Sequence, residues 1–399
     1  MKLPPVIALV ALVAGCDCGF KAIEDGSPLL HDGAGEVVAV SDVSIDGPGN
    51  GCPGPVHSAD VDTQHEPGSY PSIAVESDGT IHISHVAAGP VPGLTGGDWH
   101  DARYTVRRGG AWSSEDIYTP GVLGQFTALG LGPDRKLHVV CYSYSTRDLI
   151  YSFKGSGSWT TEPLTTSYND GWGSDLAVDR SGTVHVITFK GASGTIDGEW
   201  LYLRRVGTAW DSPKVLQTMA GGNGPRSGIA VSPDNTVHLS FSDAQGQLKY
   251  VSGKDGSFAQ AQILDTGLGQ SCSSDIAVDG QGQVQISYYD STNKRLRFVG
   301  QVGGSFESPR DLDSGGTVGS YNAIVTTAKG DLWVAYYDFT NEDLKLIRRR
   351  SGSWGQPEIV DSAGHVGRYV SAAEGPGGAL HLAHLNVTLK ALRHTRVCP

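Results

Sequence analysis

Short runs of apolar residues alternate with polar ones along most of the chain with a period of two, and no long segment has the 3.6-residue period of a helix. Seven segments share one arrangement. An apolar strand containing a small residue comes first, a Gly/Asp turn follows, and a second strand then begins on an apolar residue. The first strands centre on Ile73-Ala74-Val75, Leu129-Gly130-Leu131, Leu176-Ala177-Val178, Ile229-Ala230-Val231, Ile276-Ala277-Val278, Ile324-Val325-Thr326 and Ala372-Ala373-Glu374. The second strands begin at Ile81, Leu137, Val184, Val237, Val284, Leu332 and Leu380, always 8 residues after the first. Those starts are spaced 56, 47, 53, 47, 48 and 48 residues apart. A repeat near 48 residues fits one four-stranded blade of a β-propeller.

The rest of each repeat agrees with a blade. Third strands read Leu149-Ile150-Tyr151, Leu248-Lys249-Tyr250 or Leu344-Lys345-Leu346, and a Gly-rich turn then leads to an aromatic, Trp112, Trp159, Trp210, Phe258, Phe306 or Trp354, opening the fourth. The small residue of strand one lets the crowded inner strands approach. The seventh repeat reaches Pro399 without a fourth strand. His57 to Thr63 precedes the first repeat as Gln356 to Ser362 precedes the seventh, so residues 56–63 are expected to complete blade seven and leave no open edge. The expectation is an all-β, seven-bladed propeller over residues 52–399, closed by an N-terminal strand.

The N-terminal segment is of another kind. Lys2 followed by the apolar stretch Leu3 to Val13 reads as a secretory signal over residues 1–15, too short to span a bilayer. Leu12-Val13-Ala14-Gly15-Cys16 resembles the lipobox of bacterial lipoproteins. That resemblance implies cleavage before Cys16, acylation of Cys16, and an exported, membrane-anchored protein, periplasmic or on the cell surface. Residues 16–51, rich in Gly, Asp, Ser and Pro, read as a flexible tether. Of the 6 cysteines, Cys52 and Cys398 bracket the place where other blades have a covalent turn, and a Cys52–Cys398 disulfide is expected to replace it.

Composition narrows the function. The 55 glycines suit many tight turns. A net charge of −12 argues against nucleic acid and against electrostatic docking on anionic lipid, leaving the lipid anchor as the membrane contact. No phosphate loop, nucleophile elbow or paired metal motif occurs, and no cofactor is expected.

The residue after the start of strand two is His82, His138, His185, His238, Gln285, Trp333 or His381. Equivalent positions on blades packed about 10 Å apart cannot share a zinc ion whose nitrogens lie about 2 Å away. No metal is therefore expected, and these histidines are read as hydrogen bonds between blades.

Ligands of propellers generally sit on the face made by the loops entering strand one and leaving strand two. Three residues before strand one that face carries Tyr70, Phe126, Gly173, Arg226, Ser273, Tyr321 and Tyr369. The long loops of blades one and three add Asp98, Trp99, His100 and Asp101, and Asp197, Glu199 and Trp200, with Trp172 nearby. Tyr70, Trp99, Trp200, Arg226, Tyr321 and Tyr369 are the candidate ligand residues. Aromatic faces beside carboxylates suit sugars.

The aromatic turns, Gly155-Ser156-Gly157-Ser158-Trp159 and Ser351-Gly352-Ser353-Trp354, distantly resemble the Asp-boxes of sialidase-like propellers without the Asp. Such an enzyme would need an arginine cluster and a tyrosine with an acidic partner. Arg226 and Arg368 lie on suitable loops near Tyr321 and Tyr369, but no third arginine or Tyr–Glu pair can be placed by motif. The expected function is a binding module for a glycan or protein. The alternative is a carbohydrate-active enzyme, a sialidase-like hydrolase or a polysaccharide lyase, using carboxylates such as Asp98, Asp101 or Glu199.

Overall fold

The computed structural model describes residues 56–88, 100–118, 123–143, 145–164, 169–191, 197–220, 226–270 and 272–399. These form seven antiparallel blades of four strands each, arranged in a ring. Blade 1 runs outward from the axis as Pro67–Val75, Ile81–Ala88, His100–Arg108 and Ala111–Tyr118. In blades 3 to 6 the fourth strand is broken in two, as in Ser353–Trp354 and Glu358–Asp361 of blade 6. Blade 7 takes Val366–Glu374, Leu380–Asn386 and Ala391–Val397 from the C-terminal end and Val56–Asp62 from the other. Val56 pairs with Val397 and Ala59 with His394, so the ring closes as the repeat pattern requires.

The hydrophobic core lies between blades. Among the described residues there are seven clusters of buried side chains, one at each seam. Tyr104 and Ile117 of blade 1 pack on Leu137 and Val139 of blade 2, and Ala383 and Leu392 of blade 7 pack on Ile73 and Ile81 of blade 1. Each such side chain contributes about 1.5–3 kcal/mol on burial. The small residue of strand one serves these seams. A Cβ added at Gly130 would run into the Leu176 and Val178 side chains of the next blade.

The turn aromatics are seam residues too. Each packs on the third strand of the preceding blade: Trp159 on Tyr104 (5.4 Å between centroids), Trp210 on Tyr151 (5.1 Å), Phe258 on Tyr202 (4.6 Å) and Trp354 on Phe298 (5.0 Å). The recurring histidines differ from the expectation of contacts between blades, since they bond within one. His82 Nδ1 meets Tyr104 OH at 2.6 Å, and His138, His185 and His238 meet Tyr151, Tyr202 and Tyr250 at 2.6–2.7 Å. On the other ring edge His82 Nε2 lies 2.8 Å from Glu76 of its own first turn. The second strand lies between the first and third, so these are the polar groups within reach. Among the described residues no group of three or more His, Cys, Asp or Glu is arranged to hold a metal ion.

Candidate functional site

The inner strands of blades 1, 2, 3, 6 and 7 are nine residues long, and their pairing with strand two slips twice near the outer end. Inside each slip one residue is left-handed: Tyr70 (φ 48°), Phe126 (56°), Gly173 (57°), Tyr321 (51°) and Tyr369 (59°). A left-handed backbone at a non-glycine residue costs on the order of 1–3 kcal/mol, and bulges re-aim side chains at sheet rims. The four rings converge. Tyr70 lies 4.3 Å from Tyr369 and 4.7 Å from Phe126, and Tyr369 lies 4.5 Å from Tyr321. Trp172 extends the belt, 5.7 Å from Phe126. Phe126 is buried; the three tyrosines and Trp172 are half-buried.

Blades 4 and 5 have short inner strands, Gly228–Val231 and Ser274–Val278, without the slipped extension. Arg226 uses the room this leaves. Its Nη1 donates to the Val370 carbonyl at 3.3 Å, reaching across from blade 4 to blade 7. Burial pushes the Tyr70 phenol well above its ordinary pKa, with Tyr369 and Tyr321 adding to the shift and Arg226 opposing it.

Beneath the belt lie two carboxyls that the sequence reading missed, Asp175 and Asp275. Asp175 Oδ1 accepts from Leu176 N–H (2.8 Å) and Oδ2 from Ile229 N–H of the next blade (3.0 Å). Asp275 accepts likewise from Ile276 (2.9 Å) and Ile324 (2.8 Å). Ser72 and Ser371 hold Leu129 and Ile73 in the same way. Burial, with the charge of Asp275 second, pushes Asp175 up to about 7, against the pull of its two N–H donors and Arg226. Burial also raises Asp275. The shared Ser-Asp-apolar-Ala-Val-Asp pattern of Ser174–Asp179 and Ser274–Asp279 was the signal for this pair. Both carboxylates are spent on backbone donors, so the mouth offers a ligand ring faces and donors, namely phenols and a guanidinium.

The other candidates fall elsewhere. Trp200 belongs to the third strand of blade 3 and is fully buried, between Phe189 (5.3 Å) and Phe241 (5.6 Å), with Nε1 donating to the Ser242 carbonyl at 3.0 Å. It is a core residue and not a ligand contact. The repeat register foretells this, since the same position holds Leu149, Leu248, Leu296, Leu344 and Leu392, all buried. Asp101 and Glu199 lie in third strands of different blades, 1 and 3. Burial, then the Asp116 charge, pushes Asp101 up to about 6. Trp99, Asp98, Cys16 and Cys52 lie outside the described residues. Cys141 and Cys272 are buried thiols, and Cys398 is not among the free cysteines.

No protein-family model matches the chain, and no curated protein does. Solved structures do. A mutant of the Aleuria aurantia lectin in complex with α-methyl-L-fucoside superposes with a TM-score of 0.51 at 15% identity, covering 76% of this chain and 97% of that one. An ulvan lyase, from a new family of polysaccharide lyases, superposes with 0.55 at 10% identity over 85% and 94% of the two chains. A Dyadobacter fermentans protein of unknown function gives 0.54 at 10% identity over 86% and 98%. At these identities the likeness is one of fold.

Proposed function

We propose that this chain is an exported, lipid-anchored glycan-binding propeller whose ligand lies across the channel mouth on Tyr70, Tyr369 and Tyr321, within reach of Arg226. The observation that carries this reading is the convergence of these residues from four blades, with Tyr369 within 4.3 Å of Tyr70 and 4.5 Å of Tyr321, ring centre to ring centre. Aromatic faces take the C–H face of a sugar, and phenol and guanidinium donors take its oxygens. Fold neighbours that include a fucoside-bound lectin and a polysaccharide lyase support a saccharide as the ligand class. Lipidation of Cys16 would hold the module at a membrane, where a glycan receptor has a use.

The test is a glycan array probed with the mature protein, with release of reducing ends or unsaturated products monitored on the same saccharides. Binding without turnover is the expected result. Turnover that disappears on changing belt residues would replace a receptor with an enzyme.

A further inference from the structure

In a seven-fold repeat, residues that recur serve the fold, and a departure confined to one blade on the ligand face calls for another explanation. The loop entering blade 6 reads Thr317-Val318-Gly319-Ser320 before the mouth residue Tyr321, and that entering blade 7 reads His365-Val366-Gly367-Arg368 before Tyr369. The backbones are alike. Gly319 and Gly367 both have positive φ, and a Cβ on either would press on the backbone of Leu296 or Leu344. Loop geometry therefore does not require histidine and arginine in place of threonine and serine.

The two departures meet at one place, which has a neutral counterpart where Tyr142 OH donates to Asn169 Oδ1 (3.3 Å) and Trp172 packs on the Tyr142 ring, so what blade 7 adds is the charge. His365 Nε2 and Tyr337 OH hydrogen-bond at 2.7 Å with nearly parallel rings, and His365 Nδ1 lies 3.6 Å from Glu342. The Arg368 guanidinium sits 5.7 Å from the centre of the Tyr337 ring, and its buried Nε has no hydrogen-bond partner. Arg205, Arg348 and Arg396 share an unpartnered buried Nε, but on the third strands Arg103 has Asp62 and Asp116, Arg295 and Arg297 share Asp311, and Arg393 has Asp60 and Asp361, whereas Arg368 lies on a first strand. Arg368 forms no such ion pair among the described residues. Phe339 also stands edge-on to Tyr337 (5.9 Å) and is 47% exposed, an aromatic ring partly turned to solvent in an otherwise polar loop. Tyr337 adjoins the belt, 6.2 Å from Tyr321.

We infer that Arg368, the Tyr337–His365 pair and Phe339 form a subsite for the anionic group of a charged polysaccharide, beside the tyrosine belt. This rests on the glycan reading above and names its ligand class. One sugar ring lies on the belt, the next lies against Phe339, and the carboxylate or sulfate it carries meets Arg368. The guanidinium meets the Tyr337 hydroxyl but has no carboxylate in an ion pair, and an incoming anion supplies that counter-charge through charge-assisted hydrogen bonds. The protein is acidic overall, so the preference arises from this site and not from net charge.

The experiment is calorimetric titration of the mature protein with three probes: oligogalacturonides, sulfated carrageenan oligosaccharides, and neutral galacto-oligosaccharides. The variants are Arg368→Gln, Arg368→Lys, Phe339→Ala and Tyr321→Ala. Wild type should favour one or both acidic probes over the neutral one. Arg368→Gln should weaken the acidic probe by about tenfold or more and leave the neutral one unchanged, since a hydrogen bond to a charged group is of that size. Arg368→Lys should restore part of the loss. Phe339→Ala, at a half-exposed side chain, should weaken the preferred acidic probe while the melting temperature stays near that of wild type. Equal binding of acidic and neutral probes, insensitive to Arg368 and Phe339 but lost in Tyr321→Ala, would overturn the subsite and leave the glycan reading standing. Binding of no saccharide would overturn both.

Discussion

Arg103 Nε donates to Asp62 Oδ2 at 2.7 Å, tying the third strand of blade 1 to the strand that enters blade 7 from the N-terminal side. Asp62 is buried, with His85 3.7 Å away on the second strand of blade 1. The same clasp recurs at three other seams. Asp361 takes Arg393 and lies near His384, Asp313 takes Lys345 and Tyr336 OH, and Asp265 takes Arg297 and Tyr288 OH. At the remaining seams the second-strand position holds Cys141, Thr188 or Phe241, and the ion pairs among the described residues there, Lys154 with Glu115 and Arg205 with Glu162, are more exposed. The residue that locks the ring is thus supplied by the closing strand.

Asp62→Ala should therefore destabilise the whole ring. Removing one partner of a buried ion pair costs about 3–5 kcal/mol. Urea unfolding of wild type and variant measures it, and Asp313→Ala, within the continuous part of the chain, is the comparison. A chain beginning at Ser69 should lose cooperative unfolding, whereas one beginning at Asn50 should match the mature protein. Equal stability of those two chains would contradict closure as the source of cooperativity.

Acid should unfold the protein early. Burial pulls His85, His138, His238 and His384 from 6.5 down to about 4. Between those values the unfolded chain binds protons that the native state refuses, so stability falls as pH drops from about 6.5 to 4. The slope is at most about 1.4 kcal/mol per pH unit for each histidine. Asp175, raised to about 7, and Asp101, raised to about 6, work in the opposite sense, as do Asp275 and Asp343, but the histidines outnumber them, since burial also lowers His82, His185, His365 and His394. Melting temperature followed from pH 8 to 4.5 should decline steadily below 6.5, and a flat profile would refute the assignment of neutral buried histidines.

The pairing of Val56 with Val397 brings the start of the closing strand beside the end of the last one, one residue before Cys398. Non-reducing peptide mapping should find Cys398 linked to Cys52. The loop so closed spans nearly the whole propeller, and the chain-entropy model assigns it on the order of 5 kcal/mol. A peptide joining Cys398 to Cys18 instead would show that the tether is stapled and the seam is not.

The proposed anchoring depends on one thiol. Cys16→Ser should move the protein from the membrane fraction to the soluble one, read by fractionation and by loss of acyl mass on the N-terminal peptide. Wild-type protein that is soluble after export would rule out lipidation at Cys16.

Tyr321→Ala should weaken the glycan by about 1–3 kcal/mol if the ring acts as an interface hot spot. Arg349→Ala, at the far end of a third strand and away from the mouth, should leave affinity unchanged. An affinity that follows Arg349 and ignores Tyr321 and Tyr369 would move the site to the opposite face.

Repeat spacing carried the architecture because strand, turn and blade are local properties. The constant offset from Ile73 to Ile81 and from Ala372 to Leu380 reports a hairpin, and seven hairpins of one spacing leave a closed ring as the arrangement without edges. The unpaired Val56–Asp62 segment could be placed for the same reason. The mouth position was legible as a column of aromatics. Its left-handed backbone was not, because a double slip of pairing leaves no mark in hydrophobic alternation. Partners across a seam were equally hidden. Asp62 meets Arg103, Trp159 meets Tyr104, and His365 meets Tyr337 through the angle at which one blade is set against the next, a property of the whole ring. Trp200 lies on the boundary between the two. Its column of leucines in the repeat already marks the position as buried, but which side chains enclose it, Phe189 of its own blade and Phe241 of the next, depends on how adjacent blades pack, because the next blade supplies the second cover.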